Sequence, residues 1–483
     1  MTLEYLEMNP SPAAAQKIYV GDATHQATLT VDRVVMGSMA QIIVAPGSSL
    51  VVKGEDGIVA PNVNNIVLNS TATKQAYFLF NPNVSSNKYP KATVKLTSKA
   101  YKKGEDNYAW QRFAVPTHFS NDEAKILHRN DMEYDKVTYP TAIYKRVYSP
   151  DGWQVLAPAA NDAFEPFMCY NMTTNVGTKN PVYTFKCELA GNVNAELPIV
   201  GEKWNYYGNS YTAPIYLASM LPDLPAHISK IVYVHNGEED KWDAVSLADA
   251  EEDEMLQSRI MPMQAFVFRK QADAASSTLK YKEWIYDPAI ADPALAPARH
   301  ANVAKDYQRA SIVMQAEEGS QEMVKLYLGS NFDNAYNDGY DVEKLMSENH
   351  FNMFIAAEEG NMARLASDNI ENIAIDMQTK EATSYTMSFK NVTLEGYAIK
   401  DNVTGTTVEI AEGNFYHFST LANANVEGRF EVVPVAKMPT AIENTEVKAN
   451  AKGIFTLTGQ YLGEDFNAIP AGIYIVNGKK MVK

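Results

Sequence analysis

Between Ala27 and about Phe80, short β-branched runs follow one another, broken by Pro46-Gly47, Gly54, Gly57 and Pro61-Asn62. No helical period runs between them. Strands this short, joined by turns too tight for a crossover helix, point to coils of a solenoid or to a small meander. Short strands continue at regular spacing from about residue 86 to 280, with turn residues between them, which is the pattern of a β-sandwich. An Ala-, Pro- and Asp-rich stretch, 281–304, reads as a linker. Alternating strands then resume through 305–436 as a second sandwich, and 437–483 forms a small tail. The expected fold is all-β: a short β-helix-like or meander segment (1–85), two jelly-roll-like β-sandwich domains (86–280 and 305–436) and a C-terminal β tail.

A chain of 483 residues is too long for one core, in keeping with several domains. With 42 Lys and Arg against 58 Asp and Glu, the formal charge is −16. Such a surface repels phosphate backbones and anionic lipid, so nucleic acid is not an expected partner. No run of eighteen apolar residues is present to form a transmembrane segment. The N-terminus, MTLEYLEMNPSP, lacks the basic and apolar regions of a signal peptide. Cys169 and Cys187 each lie in an alternating run, either as a cross-strand disulfide or as two buried thiols.

The last thirty or so residues hold two apolar, aromatic runs, Gly453 to Leu457 and Gly472 to Val476. An acidic, Pro-containing turn separates them, and an Asn-Gly turn with a basic tip follows. This arrangement resembles the C-terminal sorting domain of Bacteroidetes proteins exported by the type IX secretion system. The matching positions are Ile454, Phe455, Leu457 and Gly459, then Pro470, Gly472, Ile473, Tyr474, Asn477, Gly478, Lys479, Lys480, Met481, Val482 and Lys483. The resemblance implies that the secretion machinery is a partner through the tail. It also implies an extracellular or outer-membrane-surface location, and an export signal upstream of Met1 in a longer precursor.

Other stretches resemble modules of the same secreted proteins. Ile43 to Val52 is similar to their β-helical lead-ins. Trp110 to Pro116, Trp204-Asn205, Gly208-Asn209, Tyr211, Pro214, and Pro262, Gln264 and Phe266 to Phe268 are similar to a repeated sandwich module. Ala265 replaces that module's usual Gly, and Ser210 its usual Pro. Asp338 to Asp341 and Thr404 to Thr406 resemble a jelly-roll-like module that commonly precedes the tail. Two further stretches, Ile143 to Val155 and Ile231 to Val245, resemble each other, each with a second strand that opens on a Trp, Trp153 or Trp242; they read as an internal duplication or as two hairpins of one kind.

No nucleophile elbow, phosphate-binding glycine loop or local zinc motif is present, and the eight histidines never fall at ligand spacing. No catalytic residue is therefore assigned. The carboxylate runs Asp249 to Glu254 and 238–240 read as solvated faces. The loop Asn331 to Asp341 gathers Asp333, Asn334, Asn337, Asp338 and Asp341 around a glycine. Asp333, Asn337, Asp338 and Asp341 are its candidate Ca²⁺ ligands. The competing reading makes these turn residues, with Asp341 capping a short helix over Val342 to Leu345. In the stretch Trp204 to Tyr211, Tyr207 and Tyr211 are candidates for stacking on sugar rings while Trp204 and Tyr206 pack inward. Core packing of all four is the alternative.

The expected function is that of an exported, non-catalytic protein of adhesive or structural role, with an unidentified surface protein or glycan as ligand. Two alternatives stand beside it: a glycan-binding accessory module, or the non-catalytic C-terminal part of a larger secreted hydrolase.

Overall fold

A computed structural model describes residues 1–8, 15–54, 57–80, 89–105, 108–134, 142–146, 152–157, 160–175, 177, 179–190, 196–199, 203–216, 220, 224–236, 241–247, 259–271, 277–280, 306–347, 350–435, 453–456, 461–476 and 479–483. The linker 281–304 and the carboxylate runs at 238–240 and 249–254 lie outside these residues. The fold is all-β. No helix among the described residues is long and apolar enough to cross a membrane.

The chain opens with two stacks of parallel strands. In one, β1 (Thr2–Met8), β3 (Thr28–Met36), β5 (Ser49–Val52) and β8 (Tyr77–Phe80) lie side by side, with β6 (Ile58–Val59) also against β3. In the other, β2 (Lys17–Val20), β4 (Gln41–Val44), β7 (Ile66–Leu68) and β9 (Lys91–Thr97) do the same. Lys17 lies beside Gln41, Ile42 beside Ile66 and Val67 beside Thr93, a coil of roughly two dozen residues. This is a solenoid rather than a meander. Val31, Val34, Ile42, Val44, Leu50, Val52 and Ile66 point inward and are fully buried, because β-branched and aliphatic side chains stack well on parallel coils. Asn65 is the polar member of this interior. Its Nδ2 donates to Gly37 O at 2.9 Å and Ala40 O at 2.6 Å, and its Oδ1 accepts from Asn62 N at 2.7 Å.

The solenoid ends by changing direction. Strand β9 is parallel to β7 on one edge and antiparallel to Val182–Glu188 on the other, so one sheet passes from coils into antiparallel structure. A second sheet, built from Gln111–Phe113, Tyr170–Thr173, Ala142–Arg146 and Trp153–Val155, shares the same core through Phe113, Ile143, Tyr170 and Met172. Both cysteines are buried free thiols. Cys187 Sγ donates to Pro116 O at 3.3 Å, and burial, with Glu188 beside it, pushes the thiol up to about 12.

A middle sheet follows, ordered Trp204–Gly208, Ala265–Lys270, Ile228–Asn236 and Lys241–Ser246, over a separate core that includes Phe266, Phe268, Val232 and Ile215. Gly208 marks its closest approach to the preceding unit, since a Cβ there would stand 2.3 Å from Ala114 Cβ.

The second expected sandwich is one eleven-stranded sheet. Its order is Thr407–Glu409, Tyr397–Asp401, Asn425–Pro434, Ala374–Gln378, Asn352–Ala357, Gly360–Ser367, Gln321–Leu328, Gln308–Ala316, Ser384–Lys390 and Phe415–Ser419, with Val342–Glu343 beside Gly360–Ser367. The sheet curls around a core that includes Ile312, Met353, Ile375 and Phe430 until its ends nearly meet. The meeting is stitched by buried Asp401 and Arg429. Arg429 Nη2 donates to Asp401 Oδ2 at 2.9 Å, Arg429 Nη1 donates to Ser419 O at 2.8 Å, and Tyr416 OH donates to Asp401 Oδ2 at 2.9 Å. The guanidinium lies 4.7 Å over the Phe418 ring, whose centroid is 4.8 Å from that of Phe430. The expected helix after Asp341 does not form: Val342–Glu343 is a two-residue strand, because pairing with Gly360–Ser367 satisfies its backbone instead.

The tail is a four-stranded sheet ordered Tyr461–Gly463, Ile454–Thr456, Ile473–Val476 and Lys479–Val482, with a small core at Ile454, Ile469 and Tyr474. Among the described residues, no strand pairing joins it to another sheet.

Candidate functional site

The middle sheet meets the curled sheet through the loop that the sequence singled out. Asp338 Oδ1 accepts from Ser229 Oγ and Lys230 N, both at 3.0 Å, and Lys230 Nζ stands 3.7 Å from Asp338 Oδ2. Tyr336 OH lies 3.2 Å from Ser229 Oγ, with its ring 4.4 Å beneath the Arg269 guanidinium. Arg269 Nε donates to Glu343 Oε2 at 2.9 Å, and Lys203 pairs with the other Glu343 oxygen. Tyr233 OH donates to Glu343 O at 2.6 Å, and Ser246 Oγ donates to Gly339 O at 2.7 Å. Beneath these polar contacts, Ile231, Tyr233 and Val267 of the middle sheet pack against Val342, with Leu345 and Ala363 at the margin. Burial, with Tyr336 and Glu343 close by, pushes the Tyr233 hydroxyl well above its ordinary range.

The candidate Ca²⁺ ligands act here as hydrogen-bond acceptors and donors. Asp341 Oδ1 accepts from Ala366 N at 2.6 Å, and Oδ2 accepts from Asn337 N at 2.6 Å. Burial raises the Asp341 carboxyl despite these bonds and the nearby Arg364 charge. Asn337 Nδ2 donates to Ala335 O at 2.9 Å and Ala366 O at 3.0 Å, and Asp333 Oδ1 accepts from Ala335 N at 2.9 Å. Among the described residues, no group of three or more His, Cys, Asp and Glu side chains is placed to hold a metal ion.

The expected exposure of Tyr207 and Tyr211 is reversed. Both are buried in the core of the middle sheet, and Tyr207 OH donates to Pro198 O at 3.0 Å, while Trp204 and Tyr206 are half-buried on the opposite face. That face carries an aromatic belt. Tyr206 meets Trp153 edge-on at 6.1 Å and Trp242 at 5.8 Å, and Trp204 meets Tyr233 at 5.2 Å. The Arg112 guanidinium lies 5.4 Å over Trp242, and its Nη1 donates to His235 Nε2 at 3.0 Å. The likeness of the two Trp-bearing hairpins was the sequence signal for this belt, because both tryptophans converge on Tyr206.

Where the belt reaches the curled sheet, a small cleft of about 90 Å³ opens between the two units, lined by Lys241, Trp242, Asp243, Met323, Lys325 and Leu345 among others. Beside it, buried Glu322 pairs with Lys344 and faces His350 Nε2 at 3.5 Å. The cleft sets the partly buried Trp242 indole beside charges of both signs.

In the tail, Gly472 and Lys483 exchange backbone hydrogen bonds of 3.2 and 2.9 Å, and a Cβ at Gly472 would lie 2.9 Å from Tyr474 Oη. Ile473 and Tyr474 lie on the third strand, and Lys479 and Lys480 are exposed on the last. Val476 stands opposite Lys479, and Asn477 and Gly478, like Leu457 and Gly459, lie outside the described residues. No protein-family model, curated protein or solved structure matches the chain.

Proposed function

We propose that the chain is an exported, non-catalytic protein of the cell surface or extracellular space, adhesive or structural in role, whose tail is its address to the type IX secretion machinery. The observation that supports this best is the separateness of the tail. It has its own sheet and core, and its final, lysine-bearing strand has all four residues exposed. Upstream, the polar and apolar contacts between the middle and curled sheets favour a rigid presenting body over a hinged one. A glycan-binding role is favoured by one feature, the partly buried Trp242 that lines the cleft.

The test is removal of Gly453 onward in the native host, followed by fractionation. Full-length protein is expected at the cell surface or in the medium, and the truncated protein inside the cell. Equal export of both would overturn the address role.

A further inference from the structure

A second cleft, of about 110 Å³, lies where the last coil of the solenoid meets the middle sheet. One wall is the turn 71–75 together with Thr97, Lys99 and Gln111. The other is His235 with residues 261–264, which lead into strand Ala265–Lys270. Its charge sets it apart. The chain carries 58 acidic against 42 basic residues, yet no Asp or Glu lines this cleft, while Lys74 and Lys99 both do. The cleft at Trp242 holds Asp243, Glu322 and Glu343, and the groove beside Gln315, Thr386 and His417 holds Glu317.

The lining is built rather than loose. Thr71 N donates to Lys74 O at 2.8 Å, Lys74 N donates to Thr71 Oγ1 at 3.1 Å, and Gly47 N ties the turn to its coil through Gln75 O at 2.8 Å. Lys74 is thereby held exposed at the mouth, and Lys99 is half-buried. Gln111 Oε1 accepts from Lys99 N at 3.1 Å, and Gln264 Oε1 accepts from Met261 N at 2.9 Å. The side-chain acceptors on both walls are thus engaged by backbone N–H groups, and the ammonium groups at the cleft are donors only. Behind the wall, Arg112 Nη1 donates to His235 Nε2 at 3.0 Å. A guanidinium cannot accept, so the imidazole carries its proton on Nδ1, and a permanent positive charge stands one ring away from the cleft.

A cleft lined by one sign of charge focuses the field and concentrates the opposite ion. Its volume is well below the roughly 300–1,000 Å³ that encloses a whole drug-sized ligand, so it has room for a head group and not for the rest of a large molecule. We propose that this cleft binds the anionic head of an acid, a carboxylate or a sulfate, with Lys74 and Lys99 as its cationic contacts. The site is separate from the Trp242 cleft and does not rest on it. An acidic sugar would bring such a head, and so would a free acid.

The experiment is isothermal titration calorimetry on the full chain at low salt, with sodium glucuronate, sodium acetate, sodium sulfate and glucose as probes. At least one of the anions is expected to bind at a single site and to weaken as sodium chloride is added, whereas neutral glucose is expected not to bind. Lys74→Gln/Lys99→Gln should weaken the anion by about tenfold or more, and Lys74→Gln alone, at an exposed position, by a smaller factor. Lys17→Gln/Lys390→Gln removes the same charge from exposed positions that do not line the cleft and should leave binding unchanged. Circular dichroism checks that all variants are folded. Tighter binding of glucuronate than of acetate assigns the site to an acidic sugar, and equal binding to the carboxylate alone. The proposal is overturned if none of the anions binds, if glucose binds as well as glucuronate, or if the cleft variants bind like wild type. A loss in the Lys17/Lys390 pair as large as in the cleft pair overturns it too, because the attraction would then belong to the whole surface.

Discussion

The solenoid and the curled sheet face the same problem, where a sheet stops, and treat it in opposite ways. Parallel coils can only be continued or capped. At one end β9 is handed to an antiparallel partner, and at the other β1 and β2 are the outer strands among the described residues. The antiparallel sheet of 306–435 instead twists and curls until its last strand reaches strands near its first, where side chains close the gap that backbone pairing does not. The chemistry differs accordingly. The solenoid is held by apolar stacking around the amide of Asn65, and the curled sheet by a buried guanidinium–carboxylate pair at its seam. An edge left open can accept another strand; an edge closed by a buried charge pair cannot, as long as the pair survives.

Breaking the seam should have the largest effect. Arg429→Ala leaves Asp401 buried without its cation and releases Ser419 O, so a loss of about 3–5 kcal/mol is expected. Urea denaturation of the full chain followed by a probe in the curled sheet would measure it. A loss below about 1 kcal/mol would mean that the seam is ornamental and the sheet closes by its core alone. In the solenoid the corresponding change is Asn65→Ala, which leaves the Gly37 and Ala40 carbonyls without their donor inside the coil. The expected cost is about 1–3 kcal/mol. If Asn65→Ala proves the costlier of the two, the contrast between an apolar stack and an ionic seam is the wrong way round.

The sequence announces the difference between these regions unevenly. β-branched runs punctuated by Pro46-Gly47 and Gly54 declare short coils, because strand propensity and turn chemistry are local. The facing of Trp204 to Tyr211 was not legible. Alternation separates two faces without saying which is inner, and both faces of this sheet are covered, one by its own core and the other by the curled sheet. The acidic loop shows its acceptors in sequence but not those of its donors that come from far away in the chain, Ser229, Lys230 and Ser246. The seam was equally hidden, since Asp401, Tyr416 and Arg429 carry no shared motif and meet only when the sheet curls.

The smallest effect expected is one of pH, and it separates the seam from the acidic loop. At Asp401 burial alone would raise the carboxyl, but hydrogen bonds from Arg429, Val403 N and Tyr416, together with the Arg429 charge, outweigh it and hold it below its ordinary range. The seam's contribution is therefore present above the ordinary carboxylate range and lost as the pH falls through the depressed value. At Asp341 burial prevails and the carboxyl is raised, so the folded state favours the protonated form. Its contribution is present below the ordinary range and lost as the pH rises through the raised value. Acidifying from neutral should thus first gain a little stability at Asp341 and then, further down, lose it at the seam. Melting temperature against pH tests this by difference. Asp341→Asn should flatten the upper limb relative to wild type and leave the lower one, because asparagine does not titrate while the Asp401–Arg429 pair is untouched. If the upper limb persists in that variant, the rise belongs to another carboxyl, of which Asp376, raised by burial in the same sheet, is the first to examine.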